Sequence, residues 1–400
     1  MKKTQITAQS QAQLDALNDI LTRGVEELID GENLRKKLLS GAKLRVKFGI
    51  DPTSANIHIG RSVPLLKLKD FQDAGHTIVF IIGDSTGLIG DTSDKESERP
   101  MLSKEVVQKN LETYIEQAAK IIDIKKAEIH HNSEWLDKLS YHEISRQAGV
   151  FSLNSFIMRD NIRKRLDDGK RISLRELLYP LMQGYDSVMV KADVEIGGTD
   201  QRFNLLAGRD LQREYGQEPQ DIMTNPLLEG LDGRKMSSSW GNTVNLFDKP
   251  DDMYGKIMSL KDESVIRYFT LATRVPLETI EGYSADLKNG TNPKDIKMKL
   301  ALELVRMYHS EDLATAAQEH FIKTFSKKEL PEDIKSFSPK SHDLLSVLIE
   351  SKIVSSKAEA RRLLTQNAVK VNTKVVADPA LMLKKGDIIQ KGKLSFLRID

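Results

Sequence analysis

Four stretches of this chain combine residue types whose spacing could do chemistry. Asp51-Pro-Thr53-Ser-Ala-Asn-Ile-His58-Ile-Gly60-Arg61 lies where a strand pattern gives way to a helical one. Free backbone N–H groups and the positive end of a helix dipole make such a junction an anion site. Gly60 would let a ligand approach the backbone, and Thr53 and His58 add donors. Gly233-Arg-Lys235-Met236-Ser237-Ser238-Ser239 is a hydroxyl-rich loop that could fold over phosphates, its lysine neutralising charge on a leaving group. Tyr179, Gln183 and Asp186 are spaced four and three residues apart and project from one side of a helix. A phenol, an amide and a carboxylate on one face suit a zwitterion or a hydroxyl. Ile196-Gly197-Gly198-Thr199-Asp200-Gln201 is a tight strand-to-helix turn whose Asp could hold a ribose. Singly, each stretch also fits a capped helix, a solvated loop, a helix with a polar rim or a common Gly-Gly turn. No Walker loop and no G-x-G-x-x-G occurs, so nucleotide binding has to rest on a different device.

The elements that must hold these residues follow from periodicity. Leu44 to Ile50 alternates apolar and basic residues as a strand, a helix runs from near His58 to Gly75, and His76 to Ile82 is a second strand. That second strand is all apolar after Thr77, as expected when both faces are buried in a parallel sheet. Residues 13–40, Lys104 to Ile122 and Tyr141 to Leu166 have helical spacing, Val188 to Ile196 reads as a strand, and Arg202 to Tyr215 reads as a helix before a strand at Asp221 to Thr224. From Asp251 to about Phe325 the pattern is helical, and 327–340 is charged and holds two prolines, the mark of a linker. The class is therefore α/β: a Rossmann-like parallel-sheet domain (1–245), a helical domain (246–326), a linker (327–340) and a small α+β domain (341–400). Length agrees, since 400 residues correspond to two or three domains at about 100–200 residues each.

Composition narrows the chemistry. With no cysteine there are no disulfides, thiolate metal sites or thiol nucleophiles. The longest apolar run, Ile78 to Ile82, is far short of the ~20 residues of a membrane span, and no apolar signal segment follows Met1, so a cytoplasmic protein is expected. Net charge is +2, yet residues 337–400 hold twelve Lys/Arg against six Asp/Glu. That local surplus points to a polyanion partner. His130-His131 has no third ligand in view and reads as a surface pair.

In this order and spacing the motifs resemble the class I aminoacyl-tRNA synthetases, and among them the bacterial tyrosyl-tRNA synthetases. HIGR at 58–61 is similar to the family's HIGH signature, KMSSS at 235–239 to KMSKS, and Gly87-Leu-Ile-Gly-Asp91 to its TGLIGDP segment. The Tyr179/Gln183/Asp186 and GGTDQ stretches resemble its tyrosine and ribose segments. The run from Ser355 to Asn372 resembles an S4 RNA-binding fold.

The resemblance implies activation of tyrosine by ATP and transfer of the tyrosyl group to the 3′ adenosine of tRNA(Tyr), in a homodimer, with Mg2+ carried by the nucleotide. It places Thr53, His58 and Arg61 on the phosphates, beside Lys235 and Ser238 of the signature loop, with Gly60 clearing room for adenine. Lys95 and Arg99 would lie on a closing loop. Gly198 and Asp200 would meet the ribose. Asp51, Asp91, Tyr179 and Gln183 would surround the substrate ammonium, Asp186 would take its phenol, and Gln201 would lie near its carboxylate. Lys357, Arg361, Arg362 and Lys370 would face tRNA. Three positions depart from the family's commonest pattern: Arg61 for the last His of HIGH, Ser238 for the second Lys of KMSKS, and Lys47 for a tyrosine against the substrate hydroxyl. A tryptophan-specific relative shares the fold, but Asp186 and the S4-like tail argue against it. The alternative from another class is an RNA-binding paralogue with impaired catalysis.

Overall fold

A computed structural model of the chain describes residues 16–91, 103–326, 334–351, 353–354, 356–366, 368–392 and 395–400. It divides into two compact units, Met1–Ala314 and Thr315–Asp400.

The larger unit is built on six strands: β1 (Glu27–Ile29), β2 (Arg45–Ile50), β3 (Thr77–Ile82), β4 (Glu128–His131), β5 (Val194–Gly198) and β6 (Asp221–Asn225). Their order across the sheet is β1-β6-β5-β2-β3-β4. All neighbours run parallel except β1, which closes the β6 edge antiparallel. Val79, Phe80 and Ile81 of β3 are fully buried, so its apolar run reflects cover on both faces. From β2 the chain steps outward to β3 and β4, then crosses back to the other side of β2 for β5 and β6. The carboxyl ends of β2 and β5 therefore flank the switch point, where open α/β sheets keep their ligand crevice.

Three helices position the site. Helix α1 (Ile59–Asp73) follows β2, α2 (Leu174–Val190) precedes β5, and α3 (Arg202–Glu214) follows it. Ser173 starts α2 with a capping box: its hydroxyl accepts from Arg175 N, and the Glu176 carboxylate accepts from Ser173 N. Arg165 fastens that carboxylate from a buried position, at 2.6 and 3.0 Å. Gly184 lets α2 press on α3, since a Cβ there would stand 3.0 Å from the backbone carbonyl of Ala207.

Several expected boundaries move. Val188–Val190 is the last turn of α2 rather than the start of a strand; the cap carries helical burial through Val190, Lys191 reverses the chain at φ 49°, and β5 begins only at Val194. Of the stretch 13–40, residues 13–15 lie outside the described residues and 16–40 are not one helix. Gly24 and Asp30 take positive φ, and between them Glu27–Ile29 is recruited by the open edge of β6. The two long helical stretches break into Lys104–Leu111 and Tyr114–Ala118, and into Tyr141–Gly149, Leu153–Ile157 and Asp160–Asp167. Serine side chains cap three of these pieces afresh. Pro250–Met258, Val265–Ala272, Leu277–Lys288 and Pro293–Tyr308 form the helical part, with Met253, Tyr254, Leu300 and Leu304 buried.

The smaller unit carries β7 (Ser336–Phe337), β8 (Val369–Val371), β9 (Lys374–Val375), β10 (Ile388–Lys391) and β11 (Ser395–Ile399), ordered β7-β11-β10-β8-β9. Helices Leu344–Glu350 and Lys357–Thr365 cover it over Leu344, Leu348, Leu364, Val369, Ile389 and Leu397. Ser336–Phe337 falls in the segment read as linker, yet pairs with Arg398–Ile399.

Candidate active site

The residue after β2, Asp51, anchors one half of the site. Its carboxylate accepts from the Tyr179 hydroxyl and from Thr86 Oγ1, both at 2.8 Å. Gly83 is required beside it, because a Cβ there would lie 2.0 Å from Asp51 Oδ1. Burial, Asp51 and Asp91 hold the Tyr179 phenol well above its ordinary 10.0, so it stays a donor. Deeper in, Asp186 is 3% exposed. It accepts from Trp135 Nε1 at 2.8 Å and from Asn132 Nδ2 at 3.3 Å, and Asn132 also donates to Thr86 Oγ1 at 2.9 Å. Burial pushes the Asp186 carboxyl up to about 7, against the pull of Lys47, Trp135 and Asn132. Helix α2 thus presents Tyr179, Gln183 and Asp186 as their spacing predicts.

Lys47 does not offer a free ammonium to a ligand. Its Nζ lies 2.8 Å from Gln183 O, 2.7 Å from Ser187 Oγ and 2.8 Å from Glu195 Oε1. Those three partners use its three N–H bonds.

The other half begins at the amino end of α1. His58 is 7% exposed, and burial, then Arg61 and Lys235, hold its imidazole down to about 3, so the ring is neutral. Its Nδ1 is buried with no protein partner. Such an atom at a site edge suits a ligand. Arg61 donates to Tyr114 OH at 2.7 Å and to Thr53 Oγ1 at 3.0 Å, which brings Thr53 and Arg61 together. The two signatures touch directly: Gly60 N donates to Met236 Sδ at 3.2 Å. Lys235 Nζ pairs with Asp200 Oδ2 at 2.9 Å, just past Gly198 at the end of β5. Asn242 Oδ1 accepts from Ser237 N, and Ser238–Trp240 forms an exposed turn whose indole stacks on Arg234, 4.7 Å away. Gln201 Nε2 donates to Asp91 Oδ2 at 2.6 Å. Lys95 and Arg99 lie outside the described residues.

The halves are continuous. Lys235 meets Asp200; the adjacent Gln201 meets Asp91; Asp91 acts on Tyr179; and Tyr179 leads through Asp51, Thr86 and Asn132 to Asp186. The chain thus runs from the Lys235–Asp200 ion pair at the signature loop, through Asp91 and Asp51, to the buried Asp186 carboxylate. Sequence reasoning missed Thr86, Asn132, Trp135, Ser187 and Glu195. Asn132 directly follows β4, at a carboxyl end like Asp51, and that position was the available signal. In the smaller unit Lys357, Arg361 and Arg362 are exposed on one helix, and Lys370 is half-buried on β8.

A parallel sheet whose switch point carries HIGR against KMSSS defines a class I aminoacyl-tRNA synthetase. The chain belongs to the family described as tRNA synthetases class I (W and Y), which matches residues 39–326, while residues 344–389 match the S4 domain. Within that family it is 45% identical to the tyrosine--tRNA ligase of Thermotoga maritima, over 95% of this chain and 96% of that one. It is 44% identical to that of Moorella thermoacetica, over 95% and 94%. Solved structures share the fold: a truncated mitochondrial tyrosyl-tRNA synthetase from Aspergillus nidulans (TM-score 0.65, 21% identity, 78% of this chain, 94% of that one). The Archaeoglobus fulgidus enzyme complexed with L-tyrosine matches with TM-score 0.61 and 24% identity, over 76% and 99%.

Proposed function

We propose that the chain is a tyrosine--tRNA ligase, which activates L-tyrosine with ATP and passes the tyrosyl group to the 3′-terminal adenosine of tRNA(Tyr). The observation that carries this is Asp186, a buried carboxylate fixed by Trp135 and Asn132 at the far end of a polar chain that starts at the signature lysine. Phenylalanine would leave that carboxylate without the donor that the substrate phenol supplies, beside Trp135 and Asn132. Sites built to hydrogen-bond a substrate hydroxyl, tyrosyl enzymes among them, reject the analogue that lacks it by about 10⁴–10⁵.

In this reading Asp51, Asp91, Tyr179 and Gln183 surround the substrate ammonium, Gln201 lies near its carboxylate, and Asp200 and Gly198 hold the ribose. The substrate carboxylate attacks the α-phosphorus. An O–P bond forms, the bond to the β-phosphate oxygen breaks, and pyrophosphate leaves with the electron pair. No proton moves, so no general base is needed. Catalysis reduces to alignment and to cationic donors on the phosphorus centre. Thr53, His58, Gly60, Arg61, Lys235 and Ser238 surround the phosphates and adenine. The neutral His58 ring donates a hydrogen bond without repelling neighbouring cations. In the second step the terminal ribose hydroxyl attacks the carbonyl carbon: a C–O bond forms, the bond from that carbon to the phosphate oxygen breaks, AMP leaves with the electron pair, and the hydroxyl proton passes to a phosphate oxygen of the departing AMP.

Magnesium would ride on the nucleotide, as this metal commonly does; among the described residues no His/Asp/Glu cluster could hold it. Its charge would offset that of the phosphates. The tRNA would lie on Lys357, Arg361, Arg362 and Lys370. Tyr141, Leu153, Met158 and Leu174 are each exposed, and the second subunit of a homodimer would cover apolar side chains of this kind. The domains would divide at 245, 326 and 340, and the protein would work in the cytoplasm; among the described residues no helix is long and apolar enough to cross a membrane. Tyrosine-dependent exchange of labelled pyrophosphate into ATP tests the function. Absence of exchange with retained tRNA binding would favour the RNA-binding paralogue.

A further inference from the structure

Lys47 and Glu195 form an ion pair inside the sheet, at 0% and 1% exposure, facing each other across β2 and β5. A buried pair of this kind is weak support for stability, because desolvating both charges costs about as much as their attraction returns. Its surroundings suggest what it does. Glu195 Oε1 accepts from Lys47 and, at 3.2 Å, from Gln183 Nε2. Its Oε2 accepts from Ser187 Oγ at 3.1 Å and from Gln220 Nε2. A carboxylate only accepts, so it fixes the Gln183 amide with its nitrogen inward. The carbonyl oxygen is then the end left to accept from a ligand. Lys47 meanwhile holds the backbone oxygen of the same Gln183, one helical turn from Asp186.

We infer that the Lys47–Glu195 pair is a positioning device serving both ends of the amino-acid substrate: Glu195 orients Gln183 to accept from the ammonium, while the Lys47 charge balances the Asp186 carboxylate that takes the phenol. This rests on the tyrosine reading above. The groups acting on Asp186 are Lys47 from β2, Glu195 from β5, and Asn132 and Trp135 after β4; Asp186 in turn raises the Tyr179 phenol on its own helix. Lys47 favours the carboxylate and Glu195 opposes it, so the two members of the pair pull in opposite directions.

Those opposed signs give the test. Tyrosine binding to the full chain is measured by equilibrium dialysis from pH 5.5 to 8.5, without ATP, for wild type, E195Q, K47M and K47M/E195Q. In wild type, affinity should fall as pH drops through about 7, where Asp186 takes up its proton. In K47M that midpoint moves up; a one-unit rise weakens binding about eightfold at pH 6.5. In E195Q the midpoint moves down, and in the double variant it lies between the two. A pair that only holds α2 on the sheet would weaken binding by the same factor at every pH, and unmoved midpoints overturn the inference. Should K47M fail to fold around its lone buried carboxylate, E195Q against the double variant still sets the sign. A wild-type chain that binds no tyrosine and exchanges no pyrophosphate overturns the tyrosine reading itself. Wild-type activity with unmoved variant midpoints overturns the positioning device alone.

Discussion

Replacing Lys235 by Ala separates ground-state from transition-state binding, because in the free protein that lysine already spends its charge. Its ammonium lies 2.9 Å from Asp200 Oδ2, with the side chains 31% and 19% exposed. A pair that open to water contributes about 0.2–1 kcal/mol after screening. Bound ATP must therefore trade this contact for another, and losing the lysine should shift the KM for ATP by less than about fivefold in either direction. Nothing on the ground-state side replaces it once negative charge builds on the departing pyrophosphate. Loss of one preorganised donor there costs about 10²–10³ in kcat, ~3–4 kcal/mol. The assay is steady-state pyrophosphate exchange with tyrosine and ATP varied in turn, giving kcat and both KM values for Lys235→Ala. Equal losses in kcat and in tyrosine affinity would show that the lysine supports binding of the ground state, and the assigned part would fall.

Three further outcomes follow from particular contacts. Burial holds the Asp186 carboxyl up at about 7, above its ordinary 3.8, so between roughly these values the folded chain binds a proton that the unfolded chain lacks. This group's contribution to stability therefore grows as pH falls through that window. Asp186→Asn should flatten that part of a urea-unfolding series, and an unchanged slope counts against the burial argument. Gly184→Ala puts a Cβ 2.9–3.0 Å from Leu211 and the Ala207 backbone, and should destabilise by about 1–3 kcal/mol in thermal or urea melts; a neutral result would mean that α2 and α3 part easily. Arg361→Ala and Arg362→Ala should each lower the salt slope of tRNA binding by about one while leaving pyrophosphate exchange intact. Deleting residues 337–400 should likewise spare exchange and damage charging.

Much of the catalytic edge was legible because its signals are local. The strand Thr77–Ile82 announces burial on both faces by its composition, and Tyr179, Gln183 and Asp186 share a helix face by spacing alone. What stayed hidden depends on partners distant in the chain. Glu27–Ile29 is helical by pattern and becomes a strand only because β6 offers an unpaired edge. Val188–Val190 is β-branched and apolar enough to pass for a strand, but a cap fifteen residues upstream at Ser173 commits it to helix. Trp135 and Asn132 look like ordinary loop residues until the fold brings them 51 and 54 positions across the chain to Asp186. Lys47 stood in place of a familiar hydroxyl, and nothing in its neighbours along the chain discloses that Glu195 neutralises it.

The chain holds two tryptophans, and the fold assigns one to each half of the site. Trp135 donates to the buried Asp186 carboxylate, while Trp240 rides the signature loop against Arg234. Ultraviolet emission from the unlabelled protein therefore has two separable sources. Substituting either indole by Phe leaves a single optical channel, one for arrival of the aromatic substrate and one for motion of the loop over the nucleotide.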